Sequence, residues 1–194
     1  MTSHFRPRPR AGGPAAALSA LAAILLSATP ASAQALKAGL LGDPSVGRPA
    51  SEIRLPYVRD GVPGPADQPF RLGAELGRVV VLAFGGPPDR AGWADLAARV
   101  DSFGSPRVDL VAVARARSGA LAAFAGRPGL KILADSLGLI HRLYGVRDKD
   151  GWAIFVVADD GRLIWKDRRP NLAVAGWWAG LVAAVRRGAP TGAR

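Results

Sequence analysis

Side chains that commonly carry out covalent chemistry are scarce in this sequence. Its 194 residues include no cysteine and two histidines, His4 and His141. Because the thiolate is the reactive form of cysteine, thiol chemistry of every kind is excluded, and so is stabilisation by disulfides. Zinc and similar metals take several histidine or cysteine ligands, so we expect no metal site and no cofactor.

Ser136 and His141 are the pair that suggests a hydrolase. The nucleophilic serine of many hydrolases lies in a Gly-x-Ser-x-Gly turn, which the sequence lacks. The spacing of the two residues also does not place them on one face of a helix. We therefore predict no catalytic residue here and expect His141 to be exposed or half-buried.

The loop at Gly85–Gly92 is a candidate binding site, because it leads into a helix expected to begin near Trp93. Backbone N–H groups at a helix start bind anions or carbonyls, and Arg90 adds positive charge. The Gly-Gly-Pro-Pro segment lacks the Gly-Lys-Ser/Thr ending of a phosphate-binding loop. Two interpretations stay open: the loop binds an anionic or peptide ligand, or Trp93 packs into the pocket and Arg90 is solvated.

Several apolar runs are typical of the strands that would position this loop. Continuous apolar runs at Arg78–Phe84, Arg107–Ala114 and Leu130–Asp135 predict buried strands. Trp152–Asp167 predicts a hairpin that turns at Asp160–Gly161, because the glycine supplies the positive φ of a tight turn.

Helical periodicity accounts for the segments between and after these strands. The predicted helices are Trp93–Phe103, Ser118–Arg127, Ser136–Gly145 and Asn171–Arg187. Ser118 and Asn171 are predicted caps. The last helix carries Val174, Trp177, Trp178, Leu181 and Val185 as its apolar stripe, with one indole of the Trp pair in the core and the other at its edge.

The order of these elements predicts an α/β fold. Two early strands joined through a helix should be parallel with a right-handed crossover, and the later hairpin adds an antiparallel pair. The sequence therefore predicts a thioredoxin-like mixed sheet with helices on both faces.

The first residues have the pattern of an export signal. Three arginines, Arg6, Arg8 and Arg10, precede an apolar run at Ala15–Ala28, and small residues end at Ala33. The run is too short for a bilayer, which takes roughly 20 residues, so we expect cleavage near Ala33 and a periplasmic or secreted protein with no stable membrane span. An uncleaved anchor is the alternative.

The remaining chain divides into three expected parts. Residues 34–68 form an extended Pro/Gly-rich lead-in with one short strand near Ile53–Leu55. Residues 69–188 form the thioredoxin-like domain, and residues 189–194 form a tail.

Four stretches resemble the peroxiredoxin family, the alkyl hydroperoxide reductase/thiol-specific antioxidant or redoxin group. They are VGRPASEIRLPYVRDG at the opening, GRVVVLAF before the active-site loop, LADSLGLIHRLYGV, and the hairpin IFVVADDGRLIW. The resemblance spans Val46 to Asp167, and its last two stretches are the more specific ones.

The family's functional positions are altered in this chain. The resemblance puts Trp93 at the peroxidatic cysteine, Arg90 at the family's threonine and Trp152 at its arginine. Pro87 lies near the loop's proline, and Asp95 keeps an acid after the cysteine position. The nucleophile, the hydroxyl donor and the guanidinium are therefore missing, and the family's thiol peroxidase chemistry is not expected.

The altered positions suggest a binding site made of Pro87, Arg90, Trp93, Asp95 and Trp152. If Trp93 and Trp152 lie close together, their indoles form an apolar plug or the floor of an aromatic groove. Packing of both rings in the core is the alternative.

Three functions follow from this interpretation. We expect a binding or accessory protein whose partner is an unknown protein or a small anionic ligand. Antioxidant or oxidoreductase activity, by a cysteine-free route or through a catalytic partner, is the alternative. The resemblance also allows a packing subunit or a homodimer, because the family pairs sheets or helices at their edges.

The net charge of the chain bears on its partners. Lysine and arginine number 26 against 15 acids, for a net charge of +11, which attracts anionic surfaces or reflects only coding bias and solubility. The arginines are scattered, and no stripe alternates aromatic with basic residues. We therefore expect no nucleic-acid binding.

Overall fold

A computed structural model of the chain describes residues 44–85, 96, 98–99, 103, 107–121, 130–147 and 150–189. The predicted export signal lies outside these residues. Most of the helix predicted at Trp93–Phe103 lies outside them as well, although Leu96 and Ala98 have helical conformation. Leu96 and Phe103 are buried.

The strands are β1 (Arg54–Leu55), β2 (Tyr57–Arg59), β3 (Val62–Pro63), β4 (Phe70–Arg71), β5 (Val79–Gly85), β6 (Val108–Ala114), β7 (Lys131–Ala134), β8 (Ala153–Val157) and β9 (Leu163–Asp167). The described helices are a 3-10 helix at Leu72–Glu75 and α-helices at Ser118–Leu121, Leu139–Leu143 and Ala175–Gly188. β1 and β4 form a two-stranded sheet, and the other strands form one sheet in the order β3-β2-β7-β6-β5-β8-β9.

The centre of the large sheet is parallel and its flanks are antiparallel. β5 pairs in parallel with β6, and β6 pairs in parallel with β7. β8 runs antiparallel to β5, and β9 antiparallel to β8. All seven residues of β5 are buried, as expected for a continuous apolar run in a strand covered on both faces. The predicted mixed sheet is therefore confirmed.

Alternate residues of β5 point to opposite faces of the sheet. Val79 and Val81 pack in the core cluster that contains Trp178 and Leu181 of the Ala175–Gly188 helix. Val80, Leu82 and Phe84 pack in the cluster that contains Tyr144, which follows the Leu139–Leu143 helix. Helices therefore cover both faces, and the thioredoxin-like fold predicted from the sequence is confirmed.

The lead-in contributes more structure than the one strand expected near Ile53–Leu55. β2 joins the large sheet by pairing with β7, and it turns into β3 through Asp60 and Gly61, whose φ angles are 51° and 81°. Two positive φ values in a two-residue loop are the signature of a type I′ turn. Residues before position 68 and residues after it therefore share one sheet.

The hairpin predicted at Trp152–Asp167 is present, with a wider turn. The N–H of Ala158 donates to the carbonyl of Arg162 at 2.8 Å, which leaves three residues in the loop. Gly161 has a φ of +82°, so the glycine supplies the positive φ as predicted. This geometry is that of a three-residue hairpin loop that closes with a left-handed glycine.

The C-terminal helix begins later than predicted. Asn171 is not its cap: the helix starts at Ala175 with Val174 at the capping position. Asn171 instead closes a turn, because its carbonyl accepts the N–H of Val174 at 3.0 Å. Val174 is 48% exposed, so its place in the apolar stripe was wrong. Trp178 is buried and Trp177 is half-buried, which confirms the prediction of one core indole and one edge indole.

Candidate functional site

The carboxyl ends of the parallel strands define the candidate site. β5, β6 and β7 end at Gly85, Ala114 and Ala134, and their register places these ends along one edge of the sheet. In open α/β sheets, ligands bind in the crevice outside such ends. The predicted binding loop leaves the sheet at this edge, directly after Gly85.

Of the five predicted binding residues, the structure describes only Trp152. Pro87, Arg90, Trp93 and Asp95 lie outside the described residues. Trp152 is described: it directly precedes Ala153, which pairs with Phe84 at the end of β5. Its indole is half-buried and packs against the core cluster of the C-terminal helix. The proximity of Trp93 and Trp152 stays a prediction.

The sequence did not lead us to predict a buried pair at the same edge, formed by Asp135 and His141. Asp135 follows β7 directly, and its carboxylate lies 2.8 Å from Nδ1 of His141 in the Leu139–Leu143 helix. Both side chains are 2% exposed. The expectation of an exposed or half-buried His141 was therefore wrong. Burial is possible because both ends of the imidazole have polar partners.

The Asp135 carboxylate also organises the start of the helix that carries His141. One of its oxygens accepts the N–H of Leu139 at 2.8 Å, and the other accepts the N–H of His141 at 2.9 Å. A carboxylate that accepts early N–H groups satisfies donors that a helix leaves unpaired at its start. Asp135 thus fixes both the backbone and the ring of His141.

Two opposing effects act on the pKa of Asp135. Burial raises the pKa, and the hydrogen bonds and charge interaction with His141, with a further backbone hydrogen bond from Ile140, lower it. The lowering effects prevail, so the pKa lies below its ordinary value. The carboxylate is accordingly ionised at neutral pH.

The second nitrogen of His141 is engaged as well. Nε2 lies 3.2 Å from the carbonyl oxygen of Gly85, the last residue of β5, and the edge of the imidazole contacts the Phe84 ring at a centroid distance of 5.2 Å. Both nitrogens therefore face oxygen acceptors. The imidazole therefore links the end of β5 to the residue that follows β7.

An aromatic cluster that includes Phe84 packs beside the His141 ring. Phe84, Tyr144 and Phe155 lie with ring centroids 5.0–5.3 Å apart, and the Tyr144 hydroxyl donates to the Ser51 carbonyl at 2.7 Å. Burial raises the pKa of Tyr144, with a further increase from Glu52. The phenol is therefore neutral and serves as a hydrogen-bond donor.

Asp150 organises the chain just before Trp152. Its carboxylate accepts the N–H of Arg147 at 2.9 Å and faces the Arg147 guanidinium at 3.4 Å. The backbone hydrogen bond, followed by the side chain of Arg147, lowers the pKa of Asp150. This contact ties Asp150, two residues before Trp152, to Arg147.

The sequence contained a usable indication of the Asp135–His141 pair. Asp135 stands directly after a predicted strand, and His141 is the sole histidine beyond the predicted export signal. The partner of His141 is not the exposed Ser136 but Asp135, whose carboxylate also accepts two N–H groups at the start of the helix. A polar residue at a strand's end is well placed to bond the following helix start.

Two further observations concern the described residues. They contain no group of three or more histidine, aspartate or glutamate side chains arranged to hold a metal ion. Within the same part of the chain, no helix has the length and apolar character needed to cross a membrane.

Comparison with solved structures identifies the fold. Reduced 2-Cys peroxiredoxin of Plasmodium vivax superposes with a TM-score of 0.60 at 19% identity, over 73% of this chain and 82% of that one. AhpC of Enterococcus faecalis gives a TM-score of 0.61 at 16% identity, over 78% and 98%. A Chlorobium tepidum structure named as a thiol:disulfide interchange protein DsbE gives 0.57 at 20%, over 73% and 99%.

Comparisons of sequence give no match. No protein-family model and no curated protein matches this chain. The resemblance to peroxiredoxins is therefore confirmed as a shared thioredoxin-like fold, in a chain that contains no cysteine.

Proposed function

We propose that this protein is an exported, thioredoxin-fold binding or accessory protein without thiol peroxidase chemistry. The observation that carries the proposal is the Asp135–His141 pair. His141, the single histidine outside the predicted signal, lies at the edge formed by the carboxyl ends of the parallel strands. Both of its ring nitrogens are used to link Gly85 to Asp135. Because the chain also has no cysteine, the edge is equipped to hold a ligand rather than to attack one.

The proposed binding surface is the edge around Trp152, together with Pro87, Arg90, Trp93 and Asp95. The indole of Trp152, next to the end of β5, is half-buried, so part of its apolar surface is accessible to a ligand. An indole combines a large contact area with a hydrogen-bond donor, which suits peptide and small-ligand recognition. After loss of the predicted signal, which contains three of the 26 basic residues and none of the 15 acids, the net charge is +8 and favours a ligand with negative charge.

Ligand mapping by NMR tests the location of this surface. The chain has five tryptophans, so an amide correlation spectrum contains five indole N–H signals, and Trp152→Phe assigns the one of interest. Peptides selected from a random library should shift the Trp152 signal. Shifts confined to Trp165, Trp177 and Trp178, whose rings contact one another, would contradict the location.

Peroxide consumption in the presence of a thiol donor tests the absence of peroxidase chemistry. We expect the rate to equal the background rate without protein, because no thiolate is available to attack the O–O bond. Turnover clearly above background would overturn the binding proposal in favour of a cysteine-free redox route.

A second candidate is an accessory subunit of a redox enzyme. The structures that share the fold include peroxiredoxins, and a subunit without its own nucleophile would lend a surface to a catalytic partner or to a second copy of itself. Sedimentation of the purified protein distinguishes a homodimer from a monomer. Stimulation of an added peroxiredoxin would favour the accessory role.

Export is proposed from residues 1–33, whose arginines, apolar run and small residues match a cleaved signal. Cell fractionation followed by N-terminal sequencing tests it. We expect the protein in the periplasm or medium, beginning at Gln34. Retention of the first 33 residues in a membrane fraction would favour the anchor.

A further inference from the structure

A second cleft lies on the same edge of the sheet, on the far side of β6 from Trp152. It has a volume of about 260 Å³ and lies between the residues that lead into β2 and the turn that follows β7. Its lining consists of Leu55, Pro56, Arg117, Ser118, Ala134, Asp135, Ser136, Leu137 and Leu139. Since β2 and β7 are neighbours while Trp152 precedes β8, this cleft is separate from the surface proposed above.

The wall of the cleft is apolar and exposed. Leu137 is 72% exposed and Leu139 is 54% exposed, although they stand in the turn and first helical residue whose backbone Asp135 fixes. Leaving two leucine side chains in water forgoes the stabilisation that their burial would give. A rigid turn that presents two leucines beside a cleft favours an apolar occupant.

The mouth of the cleft is positively charged. Arg117 lines it, is exposed, and has no hydrogen-bond or ion-pair partner for its guanidinium among the described residues. Arg142, whose guanidinium donates to the carbonyl of the lining residue Leu137, adds a second positive charge beside the cleft.

The one acid in the lining does not cancel this charge for a ligand. Asp135 is 2% exposed, and its carboxylate is held by Leu139 and His141. Ser118 and Ser136 add hydroxyl groups that can donate to an oxygen. The cleft therefore combines two apolar side chains with an arginine and hydroxyl donors, which is the composition of a site for an apolar acid.

We propose that this cleft binds a short apolar carboxylate, with the carboxylate paired to Arg117 and the apolar body against Leu137 and Leu139. Its volume is just below the 300 Å³ at which sites for drug-sized ligands begin, so it suits one or two apolar side chains. The hydrophobic C-terminus of a peptide and a free medium-chain acid share this chemistry. The proposal goes beyond the function proposed above and does not depend on Trp152.

Titration of the purified protein with two acids tests the proposal. The probes are N-acetyl-leucyl-leucine, its C-terminal amide, and octanoate, with binding followed through the backbone amide signals of Ser118 and Leu139. We expect at least one of the two acids to bind. If the peptide acid binds, its amide should bind about tenfold or more weakly, because the charge-assisted pair between the carboxylate and Arg117 is lost. Binding of the peptide acid alone assigns the source as a peptide terminus, and binding of octanoate alone assigns a free acid.

Matched variants separate this cleft from general attraction to a basic protein. Arg117→Gln should weaken acid binding about tenfold, and Leu137→Ser, at an exposed position, should weaken it several-fold. Arg187→Gln is the control, because the adjacent Gly188 bonds Asp159 at the opposite edge of the sheet. Equal loss in Arg117→Gln and Arg187→Gln would overturn the proposal. So would equal and measurable binding of the peptide acid and its amide, or no binding of either acid at millimolar concentration. None of these results alters the peroxide or Trp152 experiments.

Discussion

At the scale of single residues, His141 connects the segment that follows β7 to Gly85, which lies 56 residues earlier in the chain. Its ring bonds Asp135 after β7 and Gly85 at the end of β5, and its backbone N–H bonds the same Asp135 carboxylate. A buried carboxylate keeps its charge only while such partners compensate for the loss of water. Removing the imidazole should therefore lower the free energy of unfolding by more than the loss of its own contacts, because Asp135 is left partly unpaired.

We predict that His141→Ala lowers the free energy of unfolding by about 3 kcal/mol. Combining it with Asp135→Asn should cost less than the sum of the single variants, with a coupling of about 1–3 kcal/mol. Urea denaturation of the single and double variants measures this cycle. Ser136→Ala is the control, because Ser136 is exposed and should change stability by less than about 0.5 kcal/mol. Strict additivity would contradict the coupled pair.

The lowered pKa of Asp135 predicts a dependence of stability on pH. An unfolded aspartate titrates near pH 3.9, whereas the folded carboxylate holds its charge to lower pH. As the pH falls through about 4, the unfolded chain takes up a proton that the folded chain does not, so stability decreases until the folded carboxylate is protonated too. Above about pH 5 this contribution is fully present.

Stability measured in urea between pH 2 and pH 7 checks this dependence. Asp135→Asn should be less stable than the wild-type protein at neutral pH and should lose less stability on acidification. Asp150, whose pKa is also lowered, provides a comparison through Asp150→Asn. If the stability of Asp135→Asn decreased with falling pH as steeply as that of the wild-type protein, other carboxylates would account for the loss of stability in acid.

At the scale of elements, local pattern predicted the buried strands well and the turns poorly. β5 and β6 were found because an uninterrupted apolar run has few alternatives to a covered central strand. The β2–β3 hairpin was missed because prolines and glycines dominate its surroundings, although Asp60–Gly61 is a strong hairpin sequence. The helix start at Asn171 was wrong because an asparagine that favours caps also favours turns, and only the packing of Trp178 and Leu181 decides between them.

The candidate site was less predictable than the fold. The peroxiredoxin resemblance singled out Trp152, which the structure places next to Ala153, the partner of Phe84 at the end of β5, and its part in binding stays a prediction. The burial of His141 depends on a carbonyl 56 residues away, at Gly85, and no local pattern contains that contact. Single-sequence patterns report periodicity and caps, whereas such a contact depends on the register of two parallel strands.

Two glycines of the C-terminal helix should respond in opposite ways to the same substitution. At Gly180 a Cβ would meet nothing within 4 Å, whereas at Gly188 it would lie 2.6 Å from Ile164 Cδ1 and 3.3 Å from the Ala158 backbone. Gly180→Ala should stabilise the protein by about 0.5–1 kcal/mol, because alanine is the better helix former. Gly188→Ala should destabilise it by about 1–3 kcal/mol through overpacking. Thermal unfolding of both variants measures the signs, and stabilisation by Gly188→Ala would show that the helix can shift away from β8.

At the scale of the whole molecule, the fold and its chemistry are separable. The architecture, with its sheet order, parallel centre and helices on both faces, requires only apolar strands and compatible turns. This chain forms that architecture although it contains no cysteine. A thiol peroxidase needs in addition a nucleophile with a lowered pKa and groups that stabilise its charge. Structural likeness at 16–20% identity therefore shows the architecture and leaves the reaction to individual residues.

Introducing the missing thiol tests this separation directly. We predict that Trp93→Cys does not give peroxidase turnover above background with hydrogen peroxide and a thiol donor. Arg90 and Trp152 stand where the peroxiredoxin resemblance expects a threonine and an arginine, so the new thiol would lack both the hydroxyl and the guanidinium that activate it. Trp165→Cys, in β9, is the control for the reactivity of any added thiol. The combination Trp93→Cys, Arg90→Thr and Trp152→Arg should exceed both single variants, since each role is then restored at its own position. If Trp93→Cys alone turned over peroxide many times faster than Trp165→Cys, the rest of the site would be intact, and the loss of a single side chain would separate this protein from a peroxidase.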